Sequence, residues 1–364
     1  MSTPTTGSST EATPRPPSED RPEQQTKHGP SGQAALLRQI ASSPAVVGLL
    51  AVLTALILSS ILILAADSEV RYTATYLLNR PGDFLHATAS TLSEAYSSLL
   101  RGAVFDWRAT TGVRMIRPIT DTLTNATPLI IAGLGMAVAF RAGLFNIGGQ
   151  GQMILGAITA CYVGIAWNLP PVAHLLLAVV GAALGGLVWG GIAGVLKART
   201  GANEVIVTIM LNSIAAHLLS QVLSLKAFNG EGETGNRKSL TVADAAQYPS
   251  LAGDSFRLHT GFLLALLVAV AVWWLMERSR LGFQLRATGL NADAARTAGM
   301  SVPWVTSLVM MISGALCGLA ATAPVLGTQK SMDESVVGTI GFDAITVALL
   351  GRSRPLGTVL AGLL

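Results

Sequence analysis

From residue 45 onward the chain consists of long apolar runs separated by short polar seams. The runs cover 45–66, 123–140, 153–167, 172–196, 205–224, 261–276, 305–327 and 335–351, and a last one opens at Pro355 and is still apolar at Leu364. A helix needs roughly 20 apolar residues to cross a hydrocarbon layer. Eight complete spans are therefore expected, with a ninth cut off. Lipid offers no water to unpaired backbone groups, and the runs lack the alternation of barrel strands, so the predicted fold is all-α, a polytopic transmembrane helix bundle. Residues 1–43 are rich in Pro, Ser, Thr, Glu and Gln and cannot bury a core, so they are expected to form a disordered cytoplasmic tail. The remainder, 44–364, is the membrane domain.

Basic residues orient the bundle. With the N-terminus cytoplasmic, Arg141, Lys197, Arg199, the group Arg278, Arg280, Arg286 and Arg296, and Arg352 and Arg354 all fall inside, and the short outer loops carry only Lys330. Segments 67–118 and 225–260 are then extracytoplasmic and 277–303 is cytoplasmic. The two long outer segments hold ten further Lys and Arg, which weakens the bias without reversing it.

Composition agrees with this picture. Of 364 residues, 51% are hydrophobic and only 12% charged, about half the charge of a soluble domain. A net charge of +4 spread through loops argues against a nucleic-acid surface. Cys161 and Cys317 lie inside apolar runs without metal-ligand spacing, which predicts packed thiols and no disulfide framework. The histidines are scattered, and no H-E-x-x-H, G-x-S-x-G or phosphate-binding loop is present, so no catalytic or metal residue is assigned.

Polar seams carry the candidate chemistry. FRAGLFNIGGQGQMILGAI (140–158) places Arg, Asn, two Gln and five Gly between two spans. It reads either as a tight cytoplasmic turn or as a broken-helix junction at membrane depth, where non-helical backbone persists only under cover of protein or water. In the second case Asn146 and Gln150 would satisfy the freed peptide groups. In GANEVIVTIMLNSIAAHLLS, Glu204, Thr208 and Asn212 lie on one helical ridge while Ser213, His217 and Ser220 lie on another. Either ridge can serve interhelical hydrogen bonding or line a pathway. GAALGGLVWGGIAG and GALCG repeat glycine at four-residue spacing, a pattern for close helix packing. RSRLGFQLRATGLNADAARTAGM holds a short helix that Asn291 can cap and Gly299 can end, with Ala292, Ala294, Ala295 and Ala298 forming a small face suited to a groove on another protein. Asp343, in GFDAITVALLG, is the one carboxylate well placed within a late apolar run, and either caps a broken helix or sits in the pathway.

Taken in order, FRAGLFNIGGQGQMILGA, GANEVIVTIMLNSIA, LRATGLNADAARTAGM and GFDAITVALLGRSRPLG resemble the membrane permeases of bacterial ABC importers, in the branched-chain amino acid and ribose permease superfamily, most closely its nucleoside and simple-sugar branch. The resemblance runs from about Thr122 to the end of the chain. It implies a multi-pass protein of the bacterial plasma membrane that contacts lipid and forms a translocation pathway with a second permease subunit. A cytoplasmic ABC ATPase would hold ATP and Mg, with no cofactor on this chain, and an extracytoplasmic binding protein would deliver the solute. It places ATPase coupling at Arg286, Gly289, Asn291, Asp293, Ala294, Ala295 and Gly299, where Asp293-Ala294-Ala295 is similar to a Glu-Ala-Ala coupling motif with Asp for Glu. The pathway candidates are Asn146, Gln150, Glu204, Thr208, Asn212, His217 and Asp343. Gly149 and Gln150 stand where such permeases commonly carry Ala-Glu. The rival class is an ion-coupled secondary transporter, with Asp343 as its ion-binding acid. A third class, an intramembrane enzyme, lacks a recognisable nucleophile and base.

Overall fold

The computed structural model describes residues 44–229, 237–253 and 255–364. The expected tail, 1–43, lies outside them. Every extended element among the described residues is helical, and β-pairing is limited to two isolated bridges, Lys238 with Asp333 and Ser250 with His259. The all-helical expectation therefore holds.

The chain divides into two units, Met1–Ala95 and Tyr96–Leu364. In the first, α1 (Pro44–Ala66) is apolar on all sides, and α2 (Ser68–Ala74) follows at a bend of 77° measured from Val52. Asp67 makes that bend, its carboxylate accepting from the Val70 N–H at 2.9 Å. Helix α3 (Pro81–Ala103) begins there and runs into the second unit.

The second unit is built on α4 (Gly112–Arg141), α5 (Gly149–Ala166), α6 (Pro171–Thr200), α7 (Glu204–Leu223), α8 (Lys226–Asn229), α9 (Gly261–Arg278), α10 (Arg280–Leu290), α11 (Ala292–Thr297), α12 (Val302–Ala320), α13 (Ile340–Leu350) and α14 (Pro355–Leu363). Helices α4 and α12 form the buried centre, and α6, α7 and α9 are the more exposed outer helices. Packing of α6 on α12 follows from the glycine repeats. A Cβ at Gly186 would stand 2.1 Å from the Gly314 carbonyl oxygen, and one at Gly318 would stand 2.3 Å from that of Ala182. Only glycine allows the two backbones to approach so closely. Both cysteines are free and buried.

Among the described residues, five helices are long and apolar enough to cross a membrane, or six if the bent α1–α2 pair is one span. Two of the eight expected runs fall outside that count. Run 153–167 becomes α5, whose first turn is the polar Gly149-Gln150-Gly151-Gln152. Run 335–351 yields only the 11-residue α13, which reaches about 16 Å at 1.5 Å per residue and cannot cross alone.

Residues 239–248 are held to the chain that follows α12 by backbone hydrogen bonds. Ser239 N–H donates to the Met332 carbonyl (2.7 Å), Val242 N–H to that of Lys330 (2.9 Å) and Tyr248 N–H to that of Leu326 (2.9 Å). His259 stacks on Tyr248 with ring centroids 5.3 Å apart. Its Nδ1 accepts from the Gly261 N–H, so the buried Nε2 carries the proton. Burial, with Arg257 second, pushes the His259 pKa down to about 4, and burial pushes the Tyr248 hydroxyl up to about 12.

Candidate functional site: a broken helix, its polar clasp and the loop beneath it

Helix α4 stops at Arg141 because Gly143 turns left-handed (φ 73°), with the Leu144 N–H reaching back to the Ala139 carbonyl at 3.0 Å. Helix α5 does not begin until Gly149, and its N-cap Gly148 has no side chain to offer. The backbone between them is largely buried, so its polar groups need partners. Asn146, fully buried, supplies several. Its Oδ1 accepts from the Gly148 N–H (2.9 Å) and the Gln152 amide (3.2 Å), while its Nδ2 donates to Gln152 Oε1 (3.0 Å) and Ser313 Oγ (2.8 Å). Ser313 on α12 passes the chain on to the Gly135 carbonyl of α4 (2.7 Å). From α7, Asn212 Oδ1 accepts from the Gly151 N–H (2.8 Å) and its Nδ2 donates to the Ile147 carbonyl (2.9 Å). Four helices are thus tied at the break. The stretch between α4 and α5 is thus a largely buried non-helical break, whose free peptide groups are met by Asn146 and Asn212 and not, as expected, by Gln150.

Gln150 points to the other side of the break. Its Nε2 donates to the Gly338 carbonyl (2.6 Å) and its Oε1 accepts from the Gly341 N–H (3.1 Å). A Cβ on Gly341 would come within 2.5 Å of the Gln150 Cα, so the start of α13 lies directly on the α5 backbone. One turn into α13, Asp343 is exposed and accepts from the Thr339 hydroxyl at 2.7 Å.

The seven pathway candidates do not form one group. Thr208 is buried against Gly148 and bonds its own helix at Glu204, and Glu204 pairs with Lys197. His217 lies on the exposed face of α7, away from the buried stripe Thr208, Asn212, Ala215, Leu219 and Leu223. The two ridges therefore separate by role, with Thr208 and Asn212 inside the clasp and His217 outside it. Sequence reasoning missed the clasp members Gln152 and Ser313. Gln152 stood in the quoted stretch, while Ser313 is one small hydroxyl within an apolar run, with nothing local to mark it.

Loop 277–303 folds into α10 and α11. Asn291 caps α11, its Oδ1 accepting from the Asp293 and Ala294 N–H groups (both 3.0 Å), and Gly299 ends it at φ 82°. The small alanine face is divided. Asp293, Ala294 and Ala298 are exposed, but Ala295 is 3% exposed and packs into its own chain, so it is not part of a free docking face. Arg286 and Gly289 also turn inward. A Cβ at Gly289 would stand 2.5 Å from the Arg141 carbonyl oxygen, and one at Gly143 would stand 3.1 Å from the Gly289 Cα and carbonyl oxygen, so the two backbones lie against each other. Glu277 joins this contact electrostatically, pairing with Arg141 and, at 3.8 Å, with Arg286. The loop beneath the bundle therefore touches the break itself.

Residues 119–364 match the family described as branched-chain amino acid transport system / permease component. Among known proteins, the guanosine ABC transporter permease protein of Bacillus subtilis is 42% identical over 247 residues, which is 68% of this chain and 71% of that protein. The glucose ABC transporter permease protein of Haloferax volcanii is 38% identical over 255 residues, covering 67% of this chain and 66% of that protein. The nucleoside ABC transporter permease protein NupB of Lactococcus lactis subsp. cremoris is 34% identical over 256 residues, covering 68% and 70%. No solved structure matches the chain. With the match extending over the break, the clasp, the α10–α11 loop and α13, the chain belongs to the branched-chain amino acid transport system permease family.

Proposed function

We propose that this chain is a permease subunit of an ABC importer in a bacterial plasma membrane, forming with a second permease the pathway for a nucleoside or a simple sugar. It is a transport subunit and not an enzyme. A separate ATPase would bind the exposed side of α11, and an extracytoplasmic binding protein would deliver the solute. Relatives named for guanosine, glucose and nucleoside transport support the solute class.

The observation that carries the mechanism is the contact of Gly289 with Arg141 and Ala142. A push on α10 and α11 meets backbone at the break and not a compressible side chain. The clasp makes the break rigid on its inner side, and Gln150 links it to α13 on the other. Motion below would therefore be handed to α13 and to Asp343 as a rigid-body shift, because packed elements slide or rotate between arrangements rather than deform. The ATPase would supply the energy when ATP and Mg are bound to it.

The test is Gly289→Val together with Glu277→Gln in the reconstituted complex. Coupling through this contact predicts that ATP hydrolysis per solute moved rises severalfold while the ATPase still co-purifies. Normal stoichiometry in both variants would remove the route. Asp343, an exposed acid on a short helix, is the feature that favours the secondary-transporter reading. Uptake driven by an ion gradient without the ATPase, and abolished in Asp343→Asn, would establish that reading instead.

A further inference from the structure

Two prolines open the helices that face one cavity of about 400 Å³ in the second unit. Pro128 lies inside α4 and has no N–H to give the Thr124 carbonyl. Pro324 does the same to the carbonyl of Ala320, and there the end of α12 widens into a π-turn, Ala323–Thr328, closed by the Gln329 N–H on the Pro324 carbonyl at 2.9 Å. Both prolines line the cavity, so two loosened stretches of backbone meet the same space. Loosened backbone at membrane depth must be met by protein, water or a solute.

Side chains add to this. Asn125 is exposed although Thr124, Ala126, Thr127 and Pro128 around it are buried, so a primary amide is presented to the cavity by a stretch of α4 that is otherwise buried. Gln329 and Thr328 line it from the π-turn, and Arg257 and Asp343 contribute one cation and one anion. Leu129, Val337 and Ile340 supply apolar wall.

We infer that this cavity is a station on the transport route that binds a neutral ring compound bearing several hydroxyls. The inference rests on the importer reading above and adds the site to it. Charge is the first reason: with one cation and one anion on its wall the cavity favours neither an anion nor a cation, whereas hydroxyls donate to the Asp343 carboxylate and accept from the Arg257 guanidinium. Hydrogen-bond capacity is the second. A zwitterionic amino acid could satisfy Arg257 and Asp343, but it would leave the amides of Asn125 and Gln329 and the Thr328 hydroxyl without use. A furanose or pyranose ring engages them, and its apolar face fits the Leu129, Val337 and Ile340 wall.

The experiment uses the full transporter in proteoliposomes with labelled guanosine and labelled glucose, and leucine as competitor. Asn125→Leu and Gln329→Leu change exposed positions and should leave assembly intact. The site predicts a KM at least tenfold higher for the transported ring compound in each, with kcat within about twofold of wild type and Asn125→Gln recovering most of the loss. In a chain lacking Cys161 and Cys317, Asn125→Cys should react with an impermeant thiol reagent, and the transported solute should slow that reaction at least fivefold. Wild-type uptake with unchanged KM in both leucine variants and no protection of Asn125→Cys overturns this site and leaves the importer reading standing. Competition by leucine, or wild-type uptake of neither guanosine nor glucose, overturns the solute class in both.

Discussion

Asn212→Leu is expected to destabilise the folded bundle, and the loss of transport should follow from that. Leucine has the same branching and number of side-chain heavy atoms as asparagine, with bulkier methyl groups at the tips and neither of its hydrogen-bonding functions. Two buried backbone groups lose their partners, the Gly151 N–H (2.8 Å) and the Ile147 carbonyl (2.9 Å). In water-soluble proteins each orphaned group costs about 1–3 kcal/mol. Interhelical bonds in lipid average about 0.6 kcal/mol with a maximum near 1.7, because the unfolded chain in a membrane also finds partners. Two bonds at that scale give about 1–3 kcal/mol, the larger end applying if the extra bulk against the Gly151 backbone prevents repacking. His217→Leu, five residues along the same helix but on its exposed face, removes no bond and should cost close to nothing. The assay is equilibrium unfolding of the purified complex in detergent, alongside uptake. Asn212→Asp separates the two bonds, since its carboxylate still accepts from the Gly151 N–H but cannot donate to Ile147. Equal unfolding midpoints for Asn212→Leu and His217→Leu, with uptake lost only in the first, would refute the structural role and return Asn212 to direct contact with the solute.

Other expectations follow from the same geometry. Gly186→Ala forces a Cβ to 2.1 Å from the Gly314 carbonyl oxygen, an overpacking cost of about 1–3 kcal/mol that the helix-propensity gain of about 1 kcal/mol offsets only in part. Gly102→Ala has open space at its Cβ and should be neutral or stabilising in the same unfolding assay, and matching losses at the two sites would count against close α6–α12 packing. Asn291→Ala removes the cap of α11 at a cost of about 1 kcal/mol, so hydrogen exchange at the Asp293 and Ala294 amides should speed up about fivefold and ATPase co-purification should fall. Unchanged exchange would mean the helix does not depend on its cap. Because the folded state holds His259 at about 4, below the ordinary 6.5 of an exposed imidazole, the unfolded state binds more protons between those values. Stability should fall as pH drops from about 6.5 to 4, and His259→Gln should flatten that dependence in a pH series of unfolding midpoints.

Helical class, membrane insertion and the close-packing glycine faces of α6 and α12 were legible in the chain because they depend on periodicities within single segments. Apolar runs of spanning length leave the backbone no option but helix, and glycine at four-residue spacing makes a flat face whatever lies opposite. Capping of α11 by Asn291 and its stop at Gly299 were equally local, and the structure places both where the residues suggested. The number of spans was not local. Whether an apolar run is drawn out across the membrane or shortened into an 11-residue α13 depends on what its start rests on, and that is the α5 backbone at Gln150, nearly two hundred positions earlier. Roles of polar residues divided in the same way. Helical spacing separated Thr208 and Asn212 from His217, but only the approach of α7 to the α4–α5 break made Asn212 a clasp and left His217 exposed. Ala295 looked like part of an open face because its neighbours in sequence are small, and tertiary packing buried it. An amide or a small side chain carries the same chemistry in every context, so its partner is decided by which distant backbone the fold leaves unpaired beside it.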